Sequence, residues 1–446
     1  MNEDVLLAVY IEDVFSDTVP NKTSGYIFDN QKSSCTNDAT IRWDNSSWAP
    51  IITGMDTFKT TCNLYFKEPN FIKNCAVETC DVSYEEKKSS IKTIVFQNEI
   101  TTMDNAVVSV DLSEKEDESI VAHLVENGDD PGTYNAYIQS NETIYLPTNS
   151  AIFFSYYAET VDGDYISKLT SIEGLEFVDT SQVTNMSRMF YDLRYLSSLD
   201  LSHFDTSNVT DMAGMFANNA VVDNASILLE LDLSSFDTSK VTNMSNMFSG
   251  QRNIVRLDVS SFDTSNVTNM SYMFGYMNDL ISLDLKHFNT SKVTNMSNMF
   301  TQIKKISSLD LSSFDTSNVT NMYYMFGLST GLTELNITSF DTSQVTNMGY
   351  IFYGLDVEKL DLSHFDTSNV TNMGGMFRDT SIQELNLSSF DTTKVTIFSQ
   401  FFWGSSDLTN VIYGEKFVYK NNANVSSMFS SCPANKPTDV SWEGIV

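Results

Sequence analysis

The sequence is short of positive charge: 26 Lys and Arg stand against 58 Asp and Glu, for a formal net charge of −32. A surface of that sign repels phosphate backbones and anionic headgroups, so nucleic acid is excluded as a partner. No run of about 18 consecutive apolar residues is present, which excludes direct membrane insertion by a spanning helix. Met1-Asn2-Glu3-Asp4 offers neither the basic nor the apolar part of a secretory signal, so no targeting segment is expected there. Catalytic signatures are missing as well: there is no HExxH, no phosphate-cradling Gly loop and no Ser-His-Asp arrangement. Histidine is scarce, and His203, His287 and His364 recur at one repeat position, 84 and 77 residues apart. At one strand spacing per repeat they stand some ~15 Å apart, too far to share a metal. The expectation is a protein that is not an enzyme and carries no metal or cofactor.

Cysteine is also rare, and unevenly placed. Cys35, Cys62, Cys75 and Cys80 lie in the first 80 residues, and Cys432 stands alone near the end. Four clustered cysteines in a β-rich segment suggest two disulfides and an oxidising compartment. Structural zinc is the competing use of four thiolates, but the spacings of 27, 13 and 5 lack its paired CxxC knuckles. The positions around strand-like runs predict Cys35–Cys62, with Cys75–Cys80 pairing locally and Cys432 left as a free, largely buried thiol.

What the sequence has in abundance is repetition. The Asp of an FDTS step, or its equivalent, falls at Asp179, Asp205, Asp237, Asp263, Asn289, Asp315, Asp341, Asp366 and Asp391, mostly 25 or 26 residues apart. The one longer interval carries a surplus around Ala217 to Ser226, expected as a surface loop, and a tenth, degraded unit ends in Met428-Phe429. A period of 25–26 lies in the leucine-rich range. In each LDL the flanking residues alternate with an outward one, as Leu309 and Leu311 do around Asp310, which predicts a short strand. Eight such leucines (Leu199, Leu231, Leu257, Leu283, Leu309, Leu335, Leu360 and Leu385) are expected in one inward column of a parallel sheet. Val293, Met296, Met299 and Phe300 form a helical apolar stripe, and the preceding Asp-Thr-Ser offers N-cap oxygens. The predicted fold class is therefore an α/β repeat solenoid of leucine-rich type, preceded by β-rich N-terminal domains. The expected division is a small β-rich disulfide-stapled module over 1–90, a β-rich cap of the array over 91–168, and the repeat array with a degenerate C-terminal cap over 169–446. Within the first module the runs GYIFDN, ATIRWD, WAPIITG and CNLYFKE read as strands.

The unit LDLSSFDTSNVTNMSNMF resembles the BspA-like leucine-rich-repeat surface proteins of bacteria over residues 169 to 430. The stretch from Ile91 to about Ser167, with VSVDLSEKEDESIVAHLV, resembles the region that precedes the array in such proteins. The resemblance implies an extracellular, surface-attached or secreted protein similar to adhesins that bind host matrix proteins or other cells.

Three further patterns bear on function. The N-x-S/T triplets, such as Asn208-Val209-Thr210 and Asn243-Met244-Ser245, recur at fixed points of the repeat and read as hydrogen-bonding ladders rather than glycan acceptors. The mid-strand row Asp200, Asp232, Asp258, Asp284, Asp310, Asn336, Asp361 and Asn386 supplies one carboxylate or amide per repeat, a poor cage for calcium. The FDTS set reads as bonded to its own backbone. Positions inside NMxxMF vary most, and Tyr272, Tyr276, Tyr323, Tyr324, Tyr350 and Tyr353 gather within four successive repeats. Tyrosine offers contact area and a hydrogen bond together, so these six are the candidate ligand-binding residues. The expected function is adhesin-like binding of host or neighbouring-cell proteins or glycans. The alternative is an architectural spacer or coat protein of the cell surface without a specific ligand.

Overall fold

The computed structural model describes residues 70–76, 78, 80–155, 158–161, 164–218, 227–419 and 422–437, and before residue 70 the backbone of five short strands. These are β1 (Ala8–Val9), β2 (Tyr26–Phe28), β3 (Thr40–Asp44), β4 (Ala49–Thr53) and β5 (Phe66–Lys67). Strands β2 to β5 fall in the four strand-like runs of the sequence; β3 pairs with β4, and β2 lies between β1 and β5. The expected Cys35–Cys62 pair and the surplus loop at 219–226 lie outside the described residues.

Next comes a five-stranded sheet. It is built from β6 (Ile91–Gln97), β7 (Ala106–Asp111), β8 (Val121–Glu126) and β9 (Tyr134–Gln139), with β13 (Ser171–Glu173) added at the edge in the order β13-β6-β9-β8-β7. Strands β11 (Ala158–Val161) and β12 (Asp164–Ser167) form an antiparallel pair. Two short strands, β10 (Ile144–Tyr145) and β14 (Val178–Asp179), pair in parallel and begin the stacking of repeats. Residues 146–155 then act as a rung before the first: Ser150 N donates to Asn185 O at 2.9 Å, and Phe154 stacks on Phe190 at 5.0 Å.

The repeats overturn the α/β reading. The described array holds no α-helix, and the leucine-rich α/β solenoid gives way to a mainly β, turn-built arrangement with small separate sheets. In VTNMSNMF the backbone makes consecutive tight turns with left-handed residues four apart, Asn298 at φ 58° and Gln302 at φ 54°. A residue at positive φ breaks an α-helix of L-residues. The amides of Met296, Asn298, Phe300 and Gln302 donate not along their own chain but to Asn321, Tyr323, Met325 and Gly327 of the next repeat. Intervening amides close tight turns onto the carbonyl three residues back, as Met299 N does on Met296 O. Those turns return side chains to one side every three residues, which explains the helix-like spacing of Val293, Met296 and Met299.

The continuous parallel sheet expected along the LDL runs does not form either. Only β15 (Ser308–Asp310) with β16 (Glu334–Asn336), and β17 (Glu384–Leu387) with β18 (Asn410–Tyr413), pair as strands, with Leu309 opposite Leu335. The unbroken ladder runs elsewhere, through parallel bridges from Asn149 and Asn185 to Asn372, Ile397 and Asn424. The eight leucines nonetheless face the core, from Leu309 at 1% exposure to the partly buried Leu283, Leu335 and Leu360.

The interior is a set of columns. Phe154, Phe190, Phe216, Phe248, Phe274, Phe300, Phe326, Phe352, Phe377 and Phe402 stack ring on ring along the array. The methionines from Met186 to Met373 at the first NM position are fully buried beside them. Each rung would expose this apolar side if alone, so stacking is what makes the core.

Candidate functional site: a tyrosine strip along the array

Most of the repeated polar residues are consumed by the scaffold. The FDTS threonines are buried and bridge rungs twice: Thr290 Oγ1 donates to Asp315 O at 2.9 Å and accepts from Asp315 N at 2.8 Å. In SNVT, Asn208, Asn266, Asn318 and Asn369 donate their Nδ2 to a serine carbonyl of the preceding rung, at 2.7–2.8 Å. In VTNMS, Asn243 Oδ1 accepts from Ser245 N. Both Asp rows do the same, as Asp315 does with Ser317 N and Asp310 with Ser312 N. Hydrogen bonds from Ser234, Ser260 and Ser312 hold Asp232, Asp258 and Asp310 below the usual carboxylate range, so these three are anionic at neutral pH. Among the described residues no group of three or more His, Cys, Asp or Glu is placed to hold a metal ion. His287 and His364 bridge to the Val259 and Ile337 carbonyls of the rung before and pack edge-on against Phe288 and Phe365.

The tyrosines are different, because the repeat does not require them. Tyr272, Tyr324 and Tyr350 occupy the left-handed position of their rungs at φ 57°, 59° and 56°, where other rungs place Arg188, Gly214, Asn246, Asn298, Gly375, Gln400 and Ser427. Tyr276 takes the second left-handed position at φ 62°. Tyr323, Tyr324, Tyr350 and Tyr353 interlock, with ring centroids 5.6–6.0 Å apart in tilted and edge-on contacts. Tyr272 and Tyr276 stack on each other at 6.5 Å and lie within electrostatic reach of Tyr323 and Tyr324. All six are partly exposed. Burial, followed by neighbouring phenols, raises the pKa of Tyr272, Tyr323 and Tyr324, so their hydroxyls stay protonated at any physiological pH. Glycines make room for the rings: a Cβ at Gly327 would collide with Tyr324, and one at Gly375 with Tyr350.

Sequence reasoning missed the far end of the strip. The residue after the core Phe is Tyr353, Arg378 and then Trp403 in three successive rungs, and the Arg378 guanidinium lies 5.1 Å from the Tyr353 ring and 4.3 Å from Trp403. Gln400 ties the group together, its Oε1 accepting from Arg378 Nη1 at 2.8 Å and from the Tyr350 hydroxyl at 3.0 Å. Reading that single repeat column across rungs, instead of looking for tyrosine alone, is the signal that would have found it.

Elsewhere the sulfurs of Cys75 and Cys80 stand at bonding distance, with Cα atoms 5.5 Å apart. Cys432 is free and partly buried, and that burial raises its thiol pKa. No helix of the described residues is long and apolar enough to cross a membrane.

Taken together, these features define a turn-built repeat protein in which several departures from its own repeat gather into an aromatic strip. The chain belongs to the family described as "Mycoplasma protein of unknown function, DUF285", whose pattern matches three times, over residues 164–254, 219–334 and 328–442. Those matches together run from 164 to 442, more than half of the 446 residues. No curated protein and no solved structure matches the chain.

Proposed function

We propose that the chain is a non-enzymatic recognition protein, extracellular or held at a bacterial cell surface in the manner of BspA-like adhesins, and that it binds a host or neighbouring-cell protein through the strip from Tyr272 to Trp403. The carrying observation is the placement of Tyr272, Tyr324 and Tyr350 at left-handed positions. A non-glycine residue there costs about 1–2 kcal/mol. Because Arg188, Asn298, Gly375 and Gln400 fill the same position in other rungs, the repeat tolerates many residues there and nothing in the scaffold calls for tyrosine in three rungs. A strip of Tyr, Trp and Arg has the composition of interface hot spots, and a protein surface uses both its ring edges and its hydroxyls. The Cys75–Cys80 pair supports an oxidising compartment. The spacer reading draws support from the uninterrupted Phe column and the close likeness of the rungs.

The two readings part on ligand capture. Immobilised protein is exposed to purified extracellular-matrix proteins and to the glycans released from them, one at a time. Saturable retention of one protein supports recognition. Retention of none, or equal retention by a variant with Tyr272, Tyr350 and Tyr353 changed to Asn, Asn and Ser, leaves the spacer reading.

A further inference from the structure

A second departure from the repeat lies in the LDL segments near the C-terminal end, and a groove lies beside it. From the core Phe to the following column residue is nine positions in Phe326 to Leu335 and in Phe402 to Val411, but eight in Phe352 to Leu360 and in Phe377 to Leu385. Two successive rungs are thus one residue short just before this segment. Among the described residues, no backbone hydrogen bond joins 358–362 to 383–387, although β17 pairs with β18 directly beside them. A cleft of about 480 Å³ lies beside these two short rungs.

Its walls are mixed in a particular way. Glu358, Asp361 and Glu384 bring carboxylates, Asn386 and Asn410 bring amides, and Ile412, 52% exposed, stands with the partly buried Leu360 as an apolar wall. Two of the polar groups are already oriented. Asp361 Oδ1 accepts from Ser363 N at 3.0 Å, and Asn386 Oδ1 accepts from Ser388 N at 3.0 Å. The Asp361 carboxylate, which the Ser363 hydroxyl also engages, is thus held as an acceptor, and the NH2 of Asn386 is held as a donor pair. Fixed acceptors and donors beside an apolar wall match a ring with a hydroxyl rim and a C–H face. Three carboxylates against Lys359 alone reject an anion.

We propose that this groove is a binding site for a neutral pyranose sugar, independent of the tyrosine strip. The carboxylates and amides take the hydroxyls, and Ile412 with Leu360 takes the C–H face. The size suits a single sugar unit, such as the end of a glycan.

The test uses the full chain and saturation-transfer NMR with the methyl glycosides of glucose, galactose and mannose and of their N-acetylated amino counterparts. At least one of them should bind saturably. Glu384→Gln and Ile412→Ser, both at exposed positions, should each weaken that binding at least tenfold while the far-UV spectrum is unchanged. The Tyr323→Ser/Tyr324→Asn variant should bind the sugar as well as the parent does. The proposal is overturned by absence of saturable binding to every glycoside, by equal binding in both groove variants, or by displacement with millimolar lysine or calcium in place of sugar.

Discussion

At the scale of single residues, the array is held by polar groups that serve the neighbouring rung. Thr290 is 1% exposed and satisfies both the N–H and the C=O of Asp315. Thr290→Val keeps the shape but leaves two part-buried backbone groups without these bonds, so chemical denaturation should show a loss of about 1–3 kcal/mol. The exposed Thr294, whose hydroxyl reaches only the Thr268 carbonyl, should lose less when changed the same way. The carboxylates give a pH signature. Asp237, Asp315 and Asp391 are held below their ordinary pKa, chiefly by hydrogen bonds from Ser239, Ser317 and Thr393. A carboxyl that binds its proton less readily when folded stabilises the fold above its unfolded pKa and ceases to do so as pH falls through the lower folded value. The melting temperature should therefore be level from pH 7 to about 5 and fall below about pH 4, the unfolded Asp range. A melting temperature that rises on acidification would mean that relief of the −32 net charge outweighs these bonds.

At the scale of the element, the turn and the helix make opposite predictions for one substitution. Asn246 sits at φ 59°, so Asn246→Gly should leave stability unchanged or raise it slightly, whereas in a helix interior glycine would cost about 0.5–1 kcal/mol against alanine. Thermal melting of the two variants Asn246→Gly and Asn246→Ala decides it, since alanine at that φ should be the worse. Inside the stack, Phe300→Ala removes one ring from the column between Phe274 and Phe326 and should cost about 3–5 kcal/mol. The sequence made the period, the buried columns and the inward leucines legible, because burial depends only on which residues recur. It did not make the backbone legible. Val293, Met296 and Met299 are three apart, a spacing that a helix and a chain of tight turns both produce. The bonds that distinguish them run to residues 25 positions away, as Met296 N to Asn321 O does. Of the site, the six tyrosines stood out because they break a near-identical repeat, whereas Arg378 and Trp403 did not, since their partnership exists only between rungs.

At the scale of the whole molecule, the proposed binding surfaces sit where the repeat is broken. Rungs that follow the pattern spend their Thr, Asn and Asp on one another, and the strip of Tyr, Arg and Trp and the groove beside two short rungs are the surfaces proposed for ligands. The strip forms because a few repeat positions stack along the array, so substitutions at them in nearby units make a surface that no single rung could offer. The most direct measurement compares the parent chain with Tyr323→Ser/Tyr324→Asn, the pair that Ser297 and Asn298 present one rung earlier. Binding to the captured protein and the melting temperature are read on the same samples. Recognition through the strip predicts a melting temperature within a few degrees of the parent and binding weakened by more than about 1 kcal/mol, roughly fivefold. A large fall in melting temperature with unchanged binding would contradict it and show that the rings serve the stack alone.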